Sequence, residues 1–171
     1  MNDEELLKLV NEYLEYQPAT GELIWKKGKG RVKSGQVAGY DDDDKGYRCI
    51  KINSKPYKIH RINYLIHHGR MPKMLDHLNQ IKNDNRIENL RESNGSQNQG
   101  NVSSRANNTS GFRGVTWVET RQKWAAKGPK FVKGEWKQGS LGYFDCPKEA
   151  YKVYKKAAKA YFKEFFPKDL E

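Results

Sequence analysis

Residues 75–98 read LDHLNQIKNDNRIENLRESNGSQN, and this stretch decides how the chain is understood. It sets Asp76 beside His77 and places Asn89 and Asn98 downstream. Cutting a phosphodiester near neutral pH needs a base to take a proton from water, a cation against the phosphate and leaving oxygen, and a group that orients the base. An imidazole titrates in the right range, and one ring nitrogen accepts a proton only while the other is held as a donor. His77 is therefore the candidate base. The side-chain carbonyl of Asn89 is the expected holder of its N–H. If 75–78 is a strand, neighbouring side chains face opposite ways, so Asp76 points to another part of the site and is expected to bind metal. Asn98 lies near the start of a short helical stretch that Ser96 can cap, and its amide oxygen is a hard donor suited to magnesium or manganese.

These residues resemble the HNH nucleases, in the branch found among phage and intron homing endonucleases. Asp76 and His77 fall on the family's Asp-His pair, Asn89 on its middle Asn and Asn98 on its last metal ligand. Asn85, Arg86, Asn89 and Leu90 fit its NR..NL pattern, and His60-Arg61 followed by Ile62, Leu65 and Ile66 looks like its upstream HR helix. Gln80-Ile81 stands where the family has a Gly-Asn turn, and Glu92 where an aromatic is common. The resemblance implies a ββα-metal core over residues 46–101. It also implies one divalent cation, Mg2+ or Mn2+, and hydrolysis of double-stranded DNA to 5′-phosphate and 3′-hydroxyl ends. His60, His67 and His68 are left outside the metal site, His60 as a structural or backbone-contacting residue. The competing expectation is a noncatalytic, sequence-specific DNA-binding regulator that keeps this segment as a scaffold.

A second unit is expected after a polar linker at 102–110, which lacks apolar periodicity. FRGVTWVETRQKWAAK and then GEWKQGSLGYF read as three strands of a small antiparallel sheet separated by Gly- and Lys-rich turns. After Asp145-Cys146-Pro147, apolar residues recur at helical spacing from Ala150 through Tyr154, Ala158 and Phe162, a stripe suited to cover one sheet face. Arg113-Gly114-Val115, Lys123-Trp124-Ala125-Ala126 and Leu141-Gly142-Tyr143-Phe144-Asp145 resemble the Apetala or ethylene-response-factor type of DNA-binding domain, over about residues 109–166. In that family a three-stranded sheet reads the major groove. Carried over, the resemblance implies DNA contact by Arg113 and Trp124, with Arg121 and Lys127 beside them. Strand ribbons fit that groove, and Arg can bridge two guanine acceptors. At least one of Trp117, Trp124 and Trp136 is expected to pack rather than to bind.

Charge follows the same division. The chain carries a net +11, of which residues 101–171 hold +8, from 15 Lys and Arg against 7 Asp and Glu. A basic C-terminal half makes a phosphate polyanion the natural partner. No apolar run is long enough to span a bilayer and no signal peptide is evident, so an intracellular, cytoplasmic monomer without a membrane or protein partner is expected. Cys49 and Cys146 stand too far apart for a zinc cluster of short spacing.

Leu6, Leu7, Val10 and Leu14 predict an amphipathic helix, and Gly21 to Lys26 a strand. Residues 46–59 read as a hairpin turning at Asn53-Ser54, preceded by a solvated acidic loop from Asp41 to Lys45. The expected fold class is thus α+β. Residues 1–45 form an N-terminal helix and strand region, 46–101 a nuclease core, 102–110 a linker, and 111–171 a three-stranded antiparallel sheet packed on a C-terminal helix.

Overall fold

The computed structural model describes residues 1–28, 30–42, 46–101 and 108–167. The chain divides into two compact units, Met1–Gly95 and Ser96–Glu171. Both are mixed α and β, built on small antiparallel sheets.

In the first unit, helix α1 (Asp3–Tyr13) starts at a capping box: Asn2 Oδ1 accepts the Glu5 amide while Glu5 accepts the Asn2 amide. Three acidic residues in its first turn favour the positive end of the helix dipole. The apolar period carried the expected helix as far as Leu14, but Leu14 instead opens strand β1 (Leu14–Gln17). There it pairs with Trp25 at the end of β2 (Glu22–Trp25). Leu14 is buried either way, so periodicity alone does not separate the two outcomes.

Strands β3 (Tyr40–Asp42), β4 (Tyr47–Ile52) and β5 (Lys55–Lys58) make a meander with β4 in the centre. The β4–β5 hairpin turns at Asn53 and Ser54, both at positive φ, as a two-residue hairpin with the strands' own twist requires. Asp41 and Asp42 belong to β3 rather than to an acidic loop, and residues 43–45 lie outside the described residues. Helix α2 (Ile59–His68) follows and ends at Gly69 in the left-handed conformation. Its Ile59, Ile62 and Leu65 are completely buried against Leu6, Val10, Leu14, Leu23, Ala38 and Ile50. That core holds α2 beneath a short ribbon of β6 (Leu75–His77) and β7 (Leu90–Glu92), through Tyr64 Oη donating to Glu92 and Arg61 donating to Pro72 O.

The second unit begins with the short helix α3 (Gly95–Gly100). Most of the expected linker, residues 102–107, lies outside the described residues, and the division between units falls at Gly95/Ser96, ahead of it. Strands β8 (Val115–Val118), β9 (Lys123–Val132) and β10 (Glu135–Phe144) form an antiparallel sheet with β9 central. Helix α4 (Pro147–Phe162) buries Ala150, Tyr154, Ala158 and Phe162, one residue per turn, against Val115 and Ala126. Pro147 suits the first turn because its missing N–H has no partner there. Among the described residues no helix is long and apolar enough to cross a membrane. Both cysteines are free thiols.

Candidate active site

The β6–β7 ribbon is three residues long on each side and pairs Asp76 with Arg91 and His77 with Leu90. Between the strands, residues 78–89 fold back on themselves, and Asn89 closes the loop. Its carbonyl Oδ1 accepts the Asn79 amide at 3.0 Å, and its Nδ2 donates to Asn79 Oδ1 at 2.9 Å and to Asp84 O at 2.8 Å. Leu78 N donates to the Asn89 backbone carbonyl. The tight turn after His77 places Gln80 at φ +63, and the Gln80 amide donates to His77 O. Gln80 thus occupies the left-handed region where a glycine is the usual choice. Asp84 locks the far side of the loop by accepting from Arg86 Nε and Nη2 and from Asn79 Nδ2. The guanidinium of Arg86 is the main reason its carboxyl titrates at about 2.

This geometry corrects the role expected of Asn89. Its side chain spans the loop between Asn79 and Asp84 instead of reaching the imidazole. The neighbour of His77 is Asn85, whose Oδ1 stands 3.3 Å from His77 Nε2. An amide oxygen only accepts, so this orientation assigns the proton to Nε2 and the acceptor lone pair to Nδ1. Asn85 is held in turn by Asn63, which is fully buried on α2. Asn63 Nδ2 donates to Asn85 O at 2.9 Å and to Gly21 O at 2.7 Å, so the β1–β2 turn, α2 and the loop meet at one side chain. Gly21, at φ +73, must be glycine here, because a Cβ would overlap the Asn85–Arg86 backbone.

His77 is 6% exposed, and burial lowers its pKa, opposed by Asn85 and by the nearby Asp76 and Asp84 carboxylates. A neutral imidazole at neutral pH follows, as a base requires. Around it stand residues that sequence reasoning placed elsewhere. The His60 ring meets the His77 ring edge-on at 4.9 Å, and burial first, then His77, Lys58 and Arg61, push His60 to about 3. Tyr47 lies 5.3 Å from His60 and 6.1 Å from His77, with Lys58 Nζ 3.9 Å and Lys82 Nζ 5.0 Å from its ring centre. His77 thus sits beside an aromatic wall and two cations, charges suited to a phosphate-bearing strand. No residue-by-residue signal links positions 47, 58, 60 and 82; the hairpin, α2 and the loop after β6 bring them together.

Asp76 is nearly buried and its Oδ2 accepts from Arg91 Nε at 3.0 Å and Nη2 at 2.8 Å. Among the described residues no three His, Cys, Asp or Glu side chains gather into a metal-binding group. A divalent cation fits only a site of one carboxylate completed by neutral oxygens, water and phosphate, a hard donor set that suits Mg2+ or Mn2+. Asp76 is the carboxylate that such a set could use. Asn98, the other residue expected to bind metal, is half-buried on α3.

Of the four residues expected to contact DNA, two are half-buried and engaged within the second unit. Arg113 donates to the carbonyls of Gln99 and Gly100 and lies 5.9 Å over the Phe162 ring. Trp124 packs against the α4 core and meets Trp117 edge-on at 5.1 Å. Arg121 and Lys127 are exposed, Arg121 stacked 4.5 Å over the exposed Tyr143 ring. Strand register explains the split: Val115 and Trp117 pair with Ala126 and Trp124 on the helix-covered face, so Lys127 falls on the other.

Residues 57–99 match the HNH endonuclease family model. The match begins in the β4–β5 hairpin and takes in α2, the β6–β7 ribbon, the loop between its strands and nearly all of α3. It supports a nuclease acting on DNA. No curated protein and no solved structure matches the chain.

Proposed function

We propose that the protein is a divalent-metal-dependent DNA endonuclease of homing type, cutting phosphodiesters to 5′-phosphate and 3′-hydroxyl ends, with a C-terminal sheet that binds double-stranded DNA. The observation that carries this reading is the buried His77, fixed by Asn85 beside the Asp76 carboxylate, within the segment that matches the nuclease family. His77 takes a proton from the attacking water at the nitrogen opposite Asn85. Asn85 fixes the tautomer, and Asn89 keeps the loop closed so that Asn85 stays in place. Lys58 and Lys82 neutralise the phosphate backbone at the mouth of the site. Asp76 and, as the HNH resemblance implies, Asn98 would hold the cation. When bound, it stabilises charge on the scissile phosphate and the leaving 3′ oxygen. The exposed Arg121, Lys127 and Tyr143 supply the DNA-binding face of the second unit, where the Apetala-type resemblance implies major-groove contact.

Nicking of supercoiled plasmid in Mg2+ or Mn2+ tests the proposal, with EDTA and His77→Ala as controls. Metal-dependent nicking that disappears in His77→Ala while plasmid binding persists is the expected result. Cleavage that survives in His77→Ala removes this residue as the base. Salt-sensitive binding without cleavage, on plasmid and on DNA of the source genome alike, favours the noncatalytic regulator instead.

A further inference from the structure

Helix α2 begins without a side-chain cap. Its first-turn amides, from Ile59 to Arg61, have no acceptor within the helix, the N-cap Lys58 carries no side-chain oxygen to offer them, and no acidic residue stands in that turn. A helix start of this kind suits an anion. His60 belongs to the same turn. Helical side chains lean toward the N-terminus of their own helix, which brings its ring over the uncapped end. The side chain is only 6% exposed, yet its ring makes no hydrogen bond among the described residues, where its neighbours are the rings of Tyr47 and His77. A buried N–H without an acceptor costs free energy. The sealed, unpartnered polar atoms are Asn63 Oδ1 and Ser93 Oγ, not the His60 nitrogens, which therefore stay open to a small ligand. Burial above all holds the His60 titration far below the ordinary imidazole range, so the ring offers an uncharged N–H. Positive charge comes from Lys58, whose ammonium lies 3.9 Å from the Tyr47 ring centre, and from Lys82 at 5.0 Å.

We infer that the first turn of α2 and the His60 ring N–H together bind a phosphate group, the phosphodiester that lies against His77 when DNA is bound. Sequence left His60 either structural or backbone-contacting, and its unfilled donor selects the second role. A phosphodiester presents two non-bridging oxygens, one for the ring N–H and one for the helix amides. Because the His60 and His77 rings meet edge-on at 4.9 Å, a phosphate held by the first stands beside the second. Assigning that phosphate to the substrate rests on the nuclease reading, whereas the site itself does not.

The test uses the full chain as wild type, His60→Phe and His60→Gln, titrated with inorganic phosphate in EDTA at constant ionic strength and followed by heteronuclear NMR. In wild type the amides of Ile59, His60 and Arg61 and the His60 ring N–H are expected to shift and saturate with phosphate, and not with chloride. His60→Phe keeps a ring against Tyr47 and His77 and loses the donor. It should weaken phosphate binding roughly tenfold or more, the scale of one hydrogen bond to a charged group. His60→Gln keeps an N–H and should weaken it less. Single-turnover nicking of supercoiled plasmid in Mg2+ should fall in the same order, with amide exchange over residues 75–92 as in wild type. First-turn signals that ignore phosphate, or a Phe variant that binds it like wild type, overturn the inference. Phosphate binding lost in His60→Phe with nicking unchanged overturns the assignment to the DNA backbone and leaves free phosphate as the ligand. A wild-type chain that binds phosphate at α2 but cuts no DNA overturns the nuclease reading and leaves the phosphate site standing.

Discussion

Asn63 offers the sharpest test of how the first unit builds its site. The side chain is fully buried and its Nδ2 joins Gly21 O to Asn85 O, while its Oδ1 has no partner among the described residues. Asn63→Ala leaves two buried carbonyls without this donor, each costing about 1–3 kcal/mol, and removes one unpaired oxygen whose burial costs a similar amount. Two penalties less one, plus about 1 kcal/mol for the small void, give a loss of about 2–4 kcal/mol in the first unit. Asn63→Asp keeps the shape but turns an oxygen toward both carbonyls. The introduced carboxyl is buried without a cation, so its folded pKa rises above the unfolded one and its destabilisation grows as pH rises through the ordinary carboxylate range. At pH 7 the Asp variant is therefore expected to be less stable than the Ala variant, with the order narrowing near pH 3. Two units in one chain make a single global unfolding curve ambiguous. Amide exchange read separately over residues 14–25 and 75–92 isolates the effect. Because Asn85 orients His77, nicking should fall in step with lost protection of residues 75–92. Wild-type protection in Asn63→Ala, or an Asp variant no worse than Ala at pH 7, would refute the reasoning.

Removing Arg121 as Ala should weaken duplex binding by about 1–3 kcal/mol if it contacts a base, and Lys127→Ala should lower the salt dependence by about one ion; salt titrations of binding that match wild type would remove both from the interface. Gly114→Ala combines φ +71 with a Cβ that overlaps the Tyr154 ring, so it should destabilise the second unit by about 2 kcal/mol or more, whereas Gly111→Ala, at φ +70 in open space, costs only about 1 kcal/mol of backbone strain. Tryptophan fluorescence in urea measures both, and equal effects would show that Tyr154 yields. The Asp84 carboxyl is held down to about 2 against an ordinary 3.8, so its stabilising contribution is complete above the ordinary value and is lost as pH falls through about 2. The stability gap between wild type and Asp84→Asn should therefore close between about pH 4 and pH 2; a gap constant across that window contradicts the Arg86 pairing.

Local chemistry made much of this protein legible from its sequence. The Asn53-Ser54 turn and Pro147 before α4 act within a few residues of themselves, so pattern and propensity place their elements. The α4 stripe is equally local, because residues one turn apart share a face whatever lies opposite. The spacing of Asp76, His77, Asn89 and Asn98 pointed to the chemistry in the same way. Leu14 shows the limit, since an apolar residue at the end of a helical period is also an acceptable first residue of a strand, and only pairing with Trp25 chooses.

What tertiary structure alone decided is which side chains meet. His77 takes Asn85 rather than Asn89 because the loop closes on itself first, using both ends of the Asn89 amide. His60 and Tyr47 become walls of the site only when a hairpin and a helix from earlier in the chain pack beside β6. Arg113, matched by its motif to DNA contact, instead donates to the carbonyls at the end of α3. Sequence by itself determined most of the elements and marked the candidate reacting groups, since these depend on neighbours a few bonds away. Partners and orientations come from register and long-range packing, whose energies depend on residues dozens of positions apart.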